Sequence, residues 1–188
     1  MASLLWFFLG LVVAVTGVIG AQRYVGFMAQ RSEHYETGQP VMDLRQHLNG
    51  PIKCEGVIYG PLGRVTSRFD ADFMASWDGN KGVMAEHFRY DSGNTQDREW
   101  RLELGNDGSV KADADDLVGQ GVGQQTGSAL KLTYKIRLPE EAGGHVLNVT
   151  DWMYLTPCGT TIVNRSQFRK FGIKVAELVA TMRKAEAA

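Results

Sequence analysis

The sequence has little cysteine and almost no net charge, and each shortage excludes a class of protein. Its 188 residues include two cysteines, Cys54 and Cys158, outside any C-x-x-C pair, so neither a zinc site nor a thioredoxin-like motif is expected. The 20 basic and 21 acidic residues give a net charge of -1, without the basic excess typical of nucleic-acid-binding domains. Whether the cysteines pair stays open, because one potential bridge is a weak pattern.

The common signatures of catalysis are missing as well. No two of the four histidines stand two or four positions apart, as zinc-ligand pairs do: His34, His47, His87 and His145. No G-x-S-x-G nucleophile elbow occurs, and the adjacent acidic pairs at 115–116 and 140–141 would point apart on strands. We therefore expect no catalytic residues, no metal and no cofactor. A hydrolase with a polar cavity around His87 is the weaker alternative.

Glycine, in contrast, is abundant. The chain has 22 glycines and 5 prolines, a ratio that favours tight β-turns over a disordered linker. The run Gly119-Gln120-Gly121-Val122-Gly123 resembles a phosphate-binding loop, but the pattern after it is that of a strand and not of a helix. We interpret it as a strand that bends sharply or approaches another backbone closely.

Residues 1–22 carry no charged side chain and are long enough to cross a membrane. About 20 helical residues span a hydrocarbon core, and Trp6 and Tyr24 would lie at its two interfaces. The sequence predicts a transmembrane helix over residues 1–24, with these anchor side chains: Leu4, Trp6, Phe7, Phe8, Leu11, Val12, Val15 and Tyr24. The alternative is a signal peptide cleaved near Gly20 and Ala21, although its start lacks lysine and arginine.

Residues 25–50 are predicted to form a polar connector. Within it, Asp43 is placed to cap a short helix over Leu44–Leu48, which the sequence Asn49-Gly50-Pro51 ends.

From residue 51 onward the hydrophobic pattern has a period of two, as in strands with one buried face. The segments Arg64–Phe73, Asp97–Leu104 and Leu130–Leu138 alternate in this way; the second places Arg98, Trp100, Leu102 and Leu104 on its inner face. Turn residues separate about nine or ten such strands. This arrangement predicts a mainly β fold, an antiparallel lipocalin-like β-barrel over residues 51–184, with Ile173–Met182 as its closing strand.

Two groups of side chains are candidates for a site. A barrel of this size either fills its interior with aromatic side chains or leaves an apolar ligand cavity, and the residues that would do either are Phe69, Phe73, Trp77, Phe88, Trp100, Tyr134 and Trp152. A basic cluster would contact anionic lipid headgroups or form a solvated face, and it consists of Arg165, Arg169, Lys170 and Lys174.

Several motifs, taken in their order, resemble one bacterial family. They include Gly63-Arg64-Val65-Thr66, Trp77-Asp78-Gly79-Asn80, Asp151-Trp152-Met153-Tyr154 and Lys170-Phe171-Gly172. Over residues 43–184 this set is similar to the family called domain of unknown function 3833. The family is uncharacterised, and its members usually look like exported lipoproteins, which implies a periplasmic domain. This chain departs from the pattern because it lacks a lipobox cysteine and has a longer apolar span.

The sequence gives only a weak signal for the orientation of the helix in the membrane. Arg23 and Arg31 follow the span, and the positive-inside rule alone would put the barrel in the cytoplasm. The resemblance outweighs these two charges, so we expect a single-pass protein of the bacterial inner membrane with a periplasmic barrel.

Two functions of different classes follow from these expectations. The first is a non-catalytic accessory or structural subunit, in contact with the lipid bilayer and with other inner-membrane proteins. The alternative is a binding module for a lipid or another apolar ligand at the membrane surface, which a filled barrel interior would exclude. No nucleic-acid partner is expected.

Overall fold

The computed structural model describes residues 2–185, apart from the side chains of residues 2, 22, 23 and 141. Its first element is the helix α1, Ala2–Tyr24; residue 1 of the predicted span lies outside the described residues. The apolar window Ser3–Ala21 is not buried against the rest of the chain, and all eight predicted anchor side chains, seven of them in this window, are exposed. At about 35 Å, α1 is long enough to cross a membrane and has the character of an anchor or a signal sequence.

The connector after α1 contains two 3-10 turns, Phe27–Ala29 and Ser32–Tyr35, and the short helix α2, Leu44–His47. The predicted cap of α2 is confirmed, because the Asp43 carboxylate accepts a hydrogen bond from the backbone N–H of Arg45 at 2.9 Å. The helix ends one residue earlier than the sequence predicts.

Ten antiparallel strands form one closed barrel, in which each strand pairs with the next and β1 pairs with β10. They are β1 Gly50–Tyr59, β2 Val65–Asp78, β3 Lys81–Tyr90, β4 Thr95–Leu104, β5 Ser109–Asp113, β6 Gly121–Thr126, β7 Ala129–Arg137, β8 Val146–Leu155, β9 Thr161–Lys170 and β10 Ile173–Lys184. The predicted antiparallel barrel and its closing strand are confirmed. Closure pairs both edges of the sheet, which would otherwise attract other chains.

One end of the barrel is sealed by α2 and the residues beside it. Met42, Leu44 and Leu48 are at most 1% exposed. The indole Nε1 of Trp77 donates to the carbonyl oxygen of Leu48 at 2.7 Å, and the backbone N–H of Leu44 donates to Oε1 of Gln125 at 3.1 Å. The turns after β2, β4, β6 and β8 surround this closed end, and the turns after the odd-numbered strands from β1 to β9 surround the open end.

The connector covers part of the outer wall of the barrel, and this corrects the expectation for Trp152. Asp151 and Met153 line the interior, so the alternation of β8 turns Trp152 outward. Its ring lies 5.2 Å from the ring of Tyr35 and is stacked on Tyr154. Trp152 is 1% exposed because the 3-10 turn at Ser32–Tyr35 lies over it, a contact that strand periodicity does not reveal.

The glycine run lies where two backbones approach closely. A Cβ at Gly123 on β6 would lie 2.5 Å from the carbonyl oxygen of Lys131 and 2.9 Å from Cδ1 of Leu132. The strands β6 and β7 therefore require glycine there, and the interpretation of the run as a close-packed strand is confirmed.

We predict that Leu48→Ala destabilises the barrel by about 2–4 kcal/mol, because it leaves a void beneath the sealed end. The measurement is thermal unfolding of the full chain in a mild detergent, followed by near-ultraviolet circular dichroism. Leu62→Ala is the matched control, since Leu62 is 93% exposed. Equal losses of stability in the two variants would contradict the sealing role of α2.

Candidate functional site: a cavity inside the barrel

The barrel is hollow. A cavity of about 1290 Å³ reaches from Leu44 and Leu48 at the closed end to Ser92, Asn94 and Pro139 at the open end. Typical small-molecule sites enclose roughly 300–1,000 Å³, so this volume admits a sizeable ligand. The sequence allowed either a barrel filled with side chains or a barrel with a cavity, and the structure shows the cavity.

Aromatic side chains form much of the cavity wall. Of the seven aromatic residues predicted for the interior, five line the cavity: Phe69, Phe73, Phe88, Trp100 and Tyr134. They pack edge to face, with ring centroids 5.4 Å apart for Phe69 and Phe88 and 5.2 Å apart for Trp100 and Tyr134. Trp77 lies at the closed end against α2, and Trp152 lies outside the barrel, as described above.

The apolar wall contains a charged side chain, that of Arg98 on β4. Its Nε and Nη2 donate to the two carboxylate oxygens of Asp116, at 2.8 Å and 3.0 Å. The guanidinium also lies over the ring of Trp100, 4.0 Å from its centroid. Bidentate pairing and the aromatic face together fix the Arg98 side chain in one position.

Glu86 on β3 is the least compensated polar group of the cavity. It is 7% exposed, and its Oε2 has no hydrogen-bond partner among the described residues. The nearest cation is Nη1 of Arg98, 3.9 Å away. Burial raises the pKa of Glu86 to about 7, since desolvation penalises the charged carboxylate.

Asp151 on β8 is a second buried carboxyl group, 6% exposed. Its Oδ1 accepts hydrogen bonds from Oγ of Ser166, at 2.8 Å, and from Nδ2 of Asn164. Burial raises the pKa of Asp151 to about 6, although these two bonds lower it.

Sequence reasoning missed Glu86 and Asp151 as site residues. Both occupy inward positions of alternating strands, Glu86 between Met84 and Phe88 and Asp151 between Val149 and Met153. An acidic residue at an inward position of a strand was the available signal.

The sequence also offered an acidic pair and a histidine as candidates for catalysis. The pair at 115–116 diverges as expected: Asp116 bonds Arg98, while Asp115 accepts from Nη2 of Arg101 at 2.8 Å. His87 faces outward, its Nδ1 lies 2.5 Å from Oδ1 of Asp97, and it does not line the cavity inside the barrel. Among the side chains that the structure describes, no three of His, Cys, Asp or Glu are grouped as metal ligands.

The two cysteines are free thiols in different environments. Cys54 lines the cavity, and burial raises the pKa of its thiol to about 12. Cys158 is exposed in the turn between β8 and β9, where the hydroxyl groups of Thr156 and Thr160 lower its pKa to about 6.

The predicted basic cluster lies on the outer wall and at the open end. Arg165 and Lys174 both pair with Glu177, at 2.5 Å and 2.8 Å. Arg169 donates to the carbonyl oxygen of Gly172 at 2.8 Å, and Nζ of Lys170 lies 3.0 Å from Nδ1 of His145. Glu177 thus compensates part of the cluster, and headgroup contact stays a prediction.

Comparison with known proteins agrees with this architecture. A family model described as "Protein of unknown function (DUF3833)" matches residues 22–184, and no curated protein matches the chain. The S-type phycobiliprotein lyase CPES from Guillardia theta is similar in structure, with a TM-score of 0.57 and 10% identity, over 85% of this chain and 100% of that one. Rv2717c from M. tuberculosis has a TM-score of 0.55 and 15% identity, over 75% and 94%. At these identities the likeness shows a shared lipocalin-like barrel fold.

We predict that the barrel loses stability as the pH rises from 5 to 8. Glu86 and Asp151 have folded pKa values of about 7 and 6, above their ordinary values, so folding favours their protonated forms. Glu86→Gln should remove part of this loss, at most about 3 kcal/mol. The measurement is the melting temperature of the full chain at both pH values.

The matched control for this prediction is Glu103→Gln, a change on the outer, exposed face of β4. Glu103→Gln should keep the pH dependence of the unmodified chain. If the melting temperature of Glu86→Gln changed between pH 5 and pH 8 by as much as that of the unmodified chain, the raised pKa of Glu86 would be contradicted.

Proposed function

Because the chain belongs to the DUF3833 family, whose description assigns no activity, we propose a function from the cavity itself: a non-catalytic binding module that holds an apolar ligand inside the barrel. One observation carries this proposal, the hollow interior of about 1290 Å³ with aromatic walls. A ligand that fills an apolar cavity of this size binds favourably, because the apolar surfaces of the ligand and the cavity wall are removed from water.

The shape of the cavity supports binding over conduction. Leu44 and Leu48, each 1% exposed, close one end, so a ligand enters and leaves by the open end. The open end is lined by polar residues, among them Thr66, Ser92 and Asn94. An apolar chamber with a single polar entrance retains a ligand and does not pass it through.

The apolar helix α1 supports a lipid or another membrane-soluble compound as the ligand. A barrel tethered by α1 would lie against the lipid bilayer, where such compounds are concentrated. The proposed location is the bacterial inner membrane with a periplasmic barrel, in keeping with the family resemblance. Protease accessibility of the barrel in spheroplasts tests this side of the membrane.

The structural neighbours support the proposal only through the shape of the fold. CPES is named as a lyase of a phycobiliprotein, and an identity of 10% transfers no ligand to this chain. The accessory-subunit hypothesis stays a prediction. A pull-down from mild detergent through a C-terminal tag tests it, and recovery of the chain alone would count against it.

We predict saturable binding of diphenylhexatriene, a rod-shaped hydrocarbon fluorophore, by the full chain in a non-ionic amphipol. The double variant Ile136→Trp/Leu178→Trp places two indoles into the cavity, which both residues line. It should weaken binding at least tenfold because it removes volume and narrows the path to the floor. The measurement is a fluorescence titration against the amphipol blank.

The control is Met74→Trp/Val83→Trp on the outer wall, where both residues are exposed. It should bind like the unmodified chain. Binding that is not saturable, or that falls equally in the two double variants, would contradict a ligand site inside the barrel.

A further inference from the structure

Two carboxyl groups of the cavity face each other across the barrel. Glu86 on β3 and Asp151 on β8 both line the cavity and are both more than nine-tenths buried. In the closed order of ten strands, β3 and β8 are separated by five steps in either direction. The two groups therefore lie on opposite walls.

The hydrogen-bond donors of the cavity leave one oxygen of Glu86 without a partner. Arg98 directs Nε and Nη2 to Asp116, which leaves Oε2 of Glu86 buried without a hydrogen bond. Both bonds to Asp151 end on the same oxygen, Oδ1. A buried oxygen without a donor destabilises the empty cavity, and a ligand that donates a hydrogen bond to Oε2 of Glu86 would remove that cost.

The charges point to the same ligand chemistry. Five carboxyl groups line the cavity against two guanidinium groups, those of Arg98 and Arg137; the acids are Glu86, Asp115, Asp116, Glu140 and Asp151. Repulsion between like charges is strong in a poorly hydrated interior. A ligand carboxylate or phosphate would add to the negative charge, whereas an ammonium or N–H group would offset it.

We propose that the ligand of this cavity is an apolar compound with an N–H donor, such as an amine, which binds between Glu86 and Asp151. The apolar part would then lie against the rings of Phe69, Phe73 and Phe88. This inference rests on the proposed function and adds the polar group that the ligand must carry.

The test compares three twelve-carbon competitors that differ in their polar group: dodecylamine, dodecanol and dodecanoate. Each displaces diphenylhexatriene, which has no polar group, from the full chain in the non-ionic amphipol at pH 7.5. We expect dodecylamine to compete at least tenfold better than dodecanoate. In Glu86→Gln/Asp151→Asn this ratio should fall about tenfold, because the two carboxyl groups that favour the amine over the carboxylate are removed.

The control Glu103→Gln/Asp97→Asn removes two carboxylates from the outer face of β4 and should keep the ratio of the unmodified chain. Equal or better competition by dodecanoate, with diphenylhexatriene bound, would overturn this inference and leave the proposed function standing. Absence of saturable diphenylhexatriene binding would overturn both.

A second inference rests on exposed apolar side chains at the open end. Leu62 in the β1–β2 turn, Phe171 in the β9–β10 turn and Ile173 are 93%, 90% and 71% exposed. The two turns are neighbours, because β1 lies between β2 and β10. Phe171 has a φ of 52°, a conformation that costs a bulky residue energy, and Nζ of Lys170 lies 5.8 Å from the centroid of its ring.

The charges around these side chains suit an anionic surface. Residues 60–67 and 165–176 contain five basic residues and no acidic one: Arg64, Arg165, Arg169, Lys170 and Lys174. Glu177, next in the chain, compensates only Arg165 and Lys174. We infer that Leu62, Phe171 and Ile173 insert into a phospholipid bilayer while Arg64 and Lys170 contact its anionic headgroups, which would bring the open end to the lipid.

The test places an environment-sensitive nitrobenzoxadiazole label at Phe171→Cys, in a Cys158→Ser background, on the full chain in phosphatidylglycerol-containing vesicles. Cys54 is buried, and its thiol reacts slowly with the label because burial raises its pKa. We expect a blue-shifted emission that nitroxide-labelled lipids quench, and a weaker effect after Lys170→Gln. The label at Val83→Cys, on the outer wall near the closed end, should show neither. Equal exposure of the two labels to water would overturn the inference.

Discussion

The closed ladder between β1 and β10 is the constraint on which the rest of the structure depends. Its register runs from the pair Ile52 and Lys184 to the pair Tyr59 and Glu177, so the first and last strands hold each other. Without it the sheet would have two open edges, and the inward residues would have no enclosed space to face. The cavity, its floor and its opposed acids all presuppose this one long-range pairing.

Much of this fold could be predicted from local patterns, because a half-buried strand repeats every two residues. The inner face of β4, with Arg98 and Trp100, follows from that repeat, as do the closing strand and the cap at Asp43. Trp152 shows the limit of the pattern. Its position on the outer face follows from alternation, but its burial depends on Tyr35, more than a hundred residues earlier in the chain.

The candidate site was predictable only in part, for a similar reason. Alternation places five aromatic side chains on the inner face of the barrel, but it does not show whether side chains fill the interior or leave a cavity. That depends on the sum of side-chain volumes around ten strands, including small ones such as Ala71, Ala112 and Ala180. Oε2 of Glu86 has no hydrogen bond because Arg98 donates to Asp116 instead. Strand spacing does not show this tertiary contact.

The four tryptophans occupy four separate parts of the molecule. Trp6 lies on the apolar helix, Trp77 at the sealed floor, Trp100 on the cavity wall and Trp152 beneath the connector. Each region therefore contains its own intrinsic fluorophore. A set of chains that keep one indole each would allow spectroscopy to follow helix insertion, floor packing, cavity occupancy and connector docking separately, without any attached dye.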